Sequence, residues 1–144
     1  MAHNTEVPKR IHLRGEPVFE EATAGGIIRP GMLVAQNAIG KVIPHSTAAA
    51  VAEKAFAVED GLQGKTIDNS YASGDKAFFA ICKPGDIVYA LLAGGEIATR
   101  NEYLESNGDG MLKVGTTYPV AIALEDVDAS DTASVDERIK VRIL

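Results

Sequence analysis

Apolar runs in this chain are short and sharply punctuated. Arg29-Pro30-Gly31 leads into Met32-Leu33-Val34-Ala35, and Asn37-Ala38-Ile39-Gly40 leads into Lys41-Val42-Ile43-Pro44. Pro-Gly and Asn/Gly clusters are turn chemistry, so the runs between them predict strands. In the centre, Asp75-Lys76-Ala77-Phe78-Phe79-Ala80-Ile81-Cys82 predicts a buried strand, Lys83-Pro84-Gly85-Asp86 a turn and Ile87-Val88-Tyr89-Ala90-Leu91-Leu92 a second strand. Tyr103-Leu104-Glu105 and Met111-Leu112-Lys113-Val114 flank Ser106-Asn107-Gly108-Asp109-Gly110. That is the strongest hairpin signal here, because Asn-Gly and Asp-Gly accept positive φ at little cost. Pro119-Val120-Ala121-Ile122-Ala123-Leu124 predicts another strand. The last run, Arg138-Ile139-Lys140-Val141-Arg142-Ile143, alternates basic and apolar residues at period two, as a half-buried strand does.

Other stretches are less regular. Residues 47–54, rich in Ala, have local helix propensity but no C-terminal stop, so a short helix and an Ala-rich loop are equally acceptable. Residues 125–137 are acidic and rich in Ser and Ala, the composition of a surface loop. Ala24-Gly25-Gly26 and Ala93-Gly94-Gly95 form a weak echo that suggests two similar β units folded together, not a solenoid. Residues 1–20 stand apart. His3, Lys9, Arg10, His12 and Arg14 cluster there, opposed before residue 15 only by Glu6, while Pro8 and Pro17 discourage regular structure. The segment reads either as a frayed terminus or as a basic arm that orders on a partner.

Composition narrows the class. At 144 residues and 46% hydrophobic content the chain is one domain's worth with a real core. It has no Trp and 6% aromatic residues, so Ala, Val, Ile and Leu must build that core. The expected fold is all-β: a small single-domain barrel or sandwich of short strands at 21–144 with an extended basic N-terminal arm at 1–20. No apolar run approaches the roughly 20 residues of a membrane-spanning helix, and no secretory signal is visible at Met1-Ala2-His3-Asn4. The net charge of −6 argues against a general nucleic-acid binder. Cys82, the one cysteine, cannot form an internal disulfide, which fits folding in a reducing compartment.

Catalytic chemistry is sparse. His3, His12 and His45 are far apart in sequence and lack partners at metal-ligand spacing. Cys82 lies inside an apolar run, as a small core hydrophobe does. Residues 105–110 resemble a calcium loop, but Thr116 stands where the bidentate carboxylate belongs, and the hairpin reading prevails. There is no phosphate loop, dinucleotide fingerprint or Gly-x-Ser-x-Gly elbow. Thr66-Ile67-Asp68-Asn69-Ser70-Tyr71 resembles the Ile-Asp-x-x-Tyr segment of the trimeric dUTPases. That resemblance would make Asp68 the residue orienting the attacking water and Tyr71 the platform under the deoxyribose. The family's Pro-Arg-Ser-Gly segment and its Gly-rich C-terminal arm are both missing.

A longer resemblance is to the head decoration, or cement, proteins of tailed bacteriophages. It is carried by residues 57–67 with Tyr71-Ala72-Ser73-Gly74-Asp75, by residues 83–92, by residues 104–110, and by the ending Arg138-Ile139-Lys140-Val141. It spans about residue 24 to the C-terminus and rests on turns and strands. It implies a non-enzymatic homotrimer that binds the major capsid protein at three-fold and quasi-three-fold positions of an expanded shell and holds it against packaged DNA. The implied location is the capsid exterior of the virion, reached from the host cytoplasm, with no cofactor, metal, nucleic acid or membrane involved. Lys9, Arg10, Ile11, His12, Leu13 and Arg14 are the candidate partner-binding residues. Charge alternates with apolar side chains from Arg10 to Arg14, a pattern able to add a strand to an exposed sheet edge. Ile11 and Leu13 are expected to fill pockets on the shell, and Arg10 and Arg14 to meet acidic groups. The alternatives are a dUTPase-like nucleotide hydrolase and a generic oligomeric β binding module.

Overall fold

Strand pairing in this protein closes on itself twice. The structure, a computed structural model, describes residues 7–131 and 137–144. In chain order the strands are β1 (His12–Arg14), β2 (Val18–Thr23), β3 (Leu33–Gln36), β4 (Val42–Pro44), β5 (Ala55–Val58), β6 (Lys76–Ile81), β7 (Ile87–Leu92), β8 (Ile97–Ala98), β9 (Tyr103–Ser106), β10 (Leu112–Val114), β11 (Ala121–Ala123), β12 (Val127–Asp128) and β13 (Glu137–Ile143). A single 3-10 turn, Gly61–Gln63, is the only helical element among the described residues, so the chain is all-β as expected.

In the C-terminal half, β13 pairs with β11 on one side and with β7 on the other, from Glu137↔Leu92 to Arg142↔Ile87. The ring β7-β10-β9-β11-β13 is thereby a closed five-stranded barrel. In the N-terminal half, the sheet β2-β6-β5-β3-β4 curls until Ala24, just past β2, bridges Val42 of β4. The Gly25 N–H reinforces that closure by donating to the Val42 carbonyl at 2.7 Å. Closing a sheet removes edges that would otherwise pair with other chains. Each half of the Ala-Gly-Gly echo follows a barrel strand, Ala24 after β2 and Ala93 after β7.

Side-chain alternation sends these strands into two cores. Ala55 and Ala57 of β5 point into the N-terminal barrel with Phe79, Val34 and Ile28, whereas Phe56 and Val58 face the second cluster with Leu104, Leu112 and Ile139. Strands buried on both faces lose the polar half of the alternation, which is why 76–82 and 87–92 read as continuous apolar runs. β13 keeps it: Ile139, Val141 and Ile143 are buried while Arg142 is exposed. Narrow barrels also explain the abundance of Ala, since Ala57, Ala77, Ala90, Ala121 and Ala123 are fully buried where larger side chains would not fit.

The predicted hairpin is present as β9–β10, with Leu112 opposite Ser106 and Val114 opposite Leu104. Residues 47–54 form neither helix nor strand. They are held as a loop by backbone bonds from the Ala49 N–H to the Ser106 carbonyl and from the Cys82 N–H to the Lys54 carbonyl. His45, buried beneath this loop, accepts the Ser106 hydroxyl at Nδ1 (2.6 Å) and donates from Nε2 to the Val51 carbonyl (3.2 Å). Those two bonds place the ring proton on Nε2.

Within residues 7–20 the structure differs from the expectation of an arm without regular structure. His3 lies outside the described residues, but His12–Arg14 is β1, paired with β7, and β2 begins at Val18 and pairs with β6 along its length. Pro17 stands one residue before β2, where its missing N–H costs no ladder bond.

Candidate functional site

β1 fills an edge that the C-terminal barrel leaves open. β10 reaches β7 only at Leu92, so the other end of that edge, at Ile87 and Val88, is free to pair with Arg14 and His12. The Tyr89 N–H donates to the Ile11 carbonyl at 2.7 Å, and the Ile11 N–H donates to Glu59 Oε1 at 3.2 Å. The turn out of β1 is equally fixed. Buried Asp86 accepts the Glu16 N–H at 3.3 Å and the Lys83 N–H at 2.9 Å. Gly15 has φ +112°, and a Cβ there would overlap the Asp86 carboxylate, so the turn requires glycine.

This docking sorts the six candidate residues. Lys9, Arg10 and Arg14 are exposed, and Leu13 is half-buried beside them. His12 is half-buried and turns to the other side, edge-on to Phe19 with ring centroids 5.5 Å apart. Ile11 is 0% exposed within the chain's own core. The expectation that Ile11 fills a pocket on a partner is therefore corrected: the alternating segment does add a strand to an open sheet edge, but the edge is β7 of the same chain. A tethered segment has an effective concentration in the mM range at its own docking site, which a separate molecule rarely matches.

The outcome is a basic surface. Lys9, Arg10, Leu13, Arg14, Ile87 and Lys140 line a groove of about 560 Å³. Arg14 and Arg142 both pair with Ile87, one from each side, so two guanidinium-bearing residues flank it across β1-β7-β13. None of Lys9, Arg10, Arg14, Lys140 and Arg142 has an ion-pair partner among the described residues. Lys140 and Arg142 join the site only through strand register. Their signal in the sequence was the period-two alternation of the last run, which puts Arg138, Lys140 and Arg142 on one face.

The remaining candidates serve the fold. The Tyr71 hydroxyl donates to the Val58 carbonyl at 2.6 Å inside the N-terminal barrel, and burial pushes the phenol up to about 12. It is no free platform for a sugar ring. Asp68 is exposed and lies 3.4 Å from Arg138 Nη1. Asp109 accepts the Met111 N–H and the Asn107 side-chain amide within the calcium-like loop, and buried Glu105 accepts the Thr117 N–H of the turn after β10, so both carboxylates brace turns. Cys82 is buried, and burial pushes its thiol up to about 12. Since the thiolate is the reacting species, iodoacetamide at pH 8 is expected to leave Cys82 unmodified in the folded protein and to alkylate it fully in denaturant, read by intact mass. Rapid native labelling would show that the β6 end opens readily.

No family model matches this chain, and no curated protein matches it. Among solved structures it is similar to the crystal structure of the head fiber gp8.5 N base in bacteriophage phi29, with a TM-score of 0.59 at 10% identity. The similarity covers 90% of this chain and 95% of that one. At such identity the shared property is the fold.

Proposed function

We propose that this chain is a non-enzymatic structural protein of a tailed-phage head, a decoration protein that sits on the outside of the expanded shell and reinforces it. The observation that carries the reading is the fold shared along 90% of the chain with a base domain named as part of a phage head fiber. The resemblance in the turns and strands from residue 24 onward points the same way. In this reading the protein acts as a homotrimer at three-fold and quasi-three-fold positions. Each copy would present the groove of Lys9, Arg10, Leu13, Arg14 and Lys140 to acidic groups of the major capsid protein. Multivalency does the energetic work, since three modest contacts held on one rigid body are retained far more strongly than one.

The surface is tested without truncation, because removing residues 1–16 would take Ile11 out of the core. Reversing Lys9, Arg10 and Arg14 to Glu together leaves buried residues untouched. Co-sedimentation with expanded shells should saturate with the native protein, and the triple variant should need at least about tenfold more protein. Failure of the native protein to sediment with shells would overturn the decoration reading. Unchanged binding by the variant would instead move the contact to another face.

A further inference from the structure

β2 overhangs the barrel that it helps to close. The Ala24–Val42 bridge is parallel and β4 begins at it, so Val18–Thr23 lies on the side of the bridge where β4 has not started. β6 pairs with β2 along its whole length on one side, and on the other no strand pairs with it among the described residues. Hydrogen-bond parity shows which groups that leaves open. The Ala24 N–H donates to the Asp75 carbonyl on the β6 side, and the Gly25 N–H donates to the Val42 carbonyl on the opposite side. Backbone groups alternate between the two sides along a strand, so Val18, Glu20 and Ala22 bond to β6. Phe19 and Glu21 turn their N–H and C=O outward, and those groups have no hydrogen-bond partner among the described residues.

An open edge dictates the form of its occupant, because a row of alternating donors and acceptors is matched by another extended main chain. The side chains choose which one. Val18 is 49% and Phe19 56% exposed, so apolar groups flank the start of the edge. Glu20 and Glu21 follow. Glu21 pairs with Lys76 at 3.8 Å, but both side chains are exposed and the pair is well screened, while Glu20 has no ion pair among the described residues. A second copy fits this edge poorly. Antiparallel pairing of β2 with itself sets Glu20 opposite Glu20 when Phe19 meets Glu21, or Glu21 opposite Glu21 in the next bonded register. Like charges directly opposite destabilise a ladder. We infer that the outer edge of β2 takes up an extended strand of a different protein, with Lys or Arg opposite Glu20 and Glu21 and an apolar residue opposite Phe19.

The probe is a cyclic β-hairpin whose outer strand reads Thr-Val-Lys-Lys-Val-Thr, set antiparallel to β2, with a second version carrying Glu for both Lys. A hairpin is already extended, so binding spends little on ordering it. Both are titrated into isotopically labelled full-length protein and followed by NMR. In the free protein the amides of Phe19 and Glu21 should exchange with solvent much faster than those of Glu20 and Ala22. The Lys hairpin should bind saturably and slow exchange at Phe19 and Glu21, and the Glu hairpin should bind at least about tenfold more weakly. Glu20→Lys combined with Glu21→Lys should reverse that preference. Glu21→Pro removes an outward N–H and no bond to β6, so it should keep the melting temperature within about 3 °C and lose binding. Slow exchange at Phe19 and Glu21 before any hairpin is added would overturn the inference, as would absent saturable binding, equal binding of the two hairpins, or binding that survives Glu21→Pro. So would self-association in sedimentation that disappears with Glu21→Pro, since the occupant would then be a second copy. No head shell enters this assay, so its failure leaves the decoration reading standing, and failure of shell binding leaves the edge standing.

Discussion

Arg138→Met is expected to destabilise the fold by about 3 kcal/mol, whereas Asp68→Asn, which removes its only acidic partner among the described residues, should cost less than about 0.5 kcal/mol. Arg138 leaves β13 of the C-terminal barrel and reaches loops of the N-terminal half. Its Nη2 donates to the Ile67 carbonyl at 2.7 Å and to the Pro30 carbonyl at 3.2 Å, while Nη1 lies 3.4 Å from Asp68 Oδ1. The ion pair looks like the stronger contact, but the Asp68 side chain is 82% exposed and so well solvated and screened. Pro30 and Ile67 are buried, and without the guanidinium their carbonyls have lost a donor where water reaches poorly. Each such loss costs on the order of 1–3 kcal/mol. For a domain of this size the melting temperature should fall by roughly 10 °C in Arg138→Met. The gap between the two variants should persist in 1 M salt, because screening acts on the ion pair and not on the carbonyl bonds. Equal losses in both variants would show that the charge pair carries the joint.

How much of this was legible beforehand follows from how local each signal is. The β6-turn-β7 run, the β9–β10 hairpin and β13 were readable because the turn residues and the alternation that define them lie within a few positions of one another. β5 was hidden because Ala55-Phe56-Ala57-Val58 continues an Ala-rich stretch, and small residues carry little pattern. β2 was masked by Pro17 and by its charge, while the alternation behind β1 was legible as a strand but not the β7 edge of the same chain that it joins. Barrel closure was not readable at all, since the Ala24–Val42 bridge and the β7–β13 pairing join residues that no local window contains. The candidate site divided in the same way. Arg10–Arg14 and Arg138–Arg142 each announced a basic edge, but only the register through β7 brings them to one surface.

Ile11→Ala should cost about 3 kcal/mol, and Leu13→Ala, two residues on, less than about 1 kcal/mol. Both side chains lie in the segment expected from sequence to reach out to a partner, so a detached arm would make both changes silent in a melt of the isolated protein. Docked as the structure has it, Ile11 is fully enclosed with Val88, Ile143 and Leu33 in one cluster, and shortening it leaves a cavity that rigid strands on several sides cannot close. Leu13 loses only a half-covered contact in the basic groove. Chemical denaturation of the two variants separates these outcomes directly, and equal stability would mean that β1 is not seated in solution. The result also bears on how the protein would hold a shell. To lend β1 to a neighbouring sheet, a partner would have to repay the burial of Ile11 and the backbone bonds at Ile11 and Tyr89 before any net gain appeared. Keeping the strand docked costs nothing and leaves Lys9, Arg10 and Arg14 facing outward. A contact made by a seated, rigid basic face therefore needs less from the partner than strand exchange, and Ile11→Ala should weaken shell binding only as far as it unseats that face.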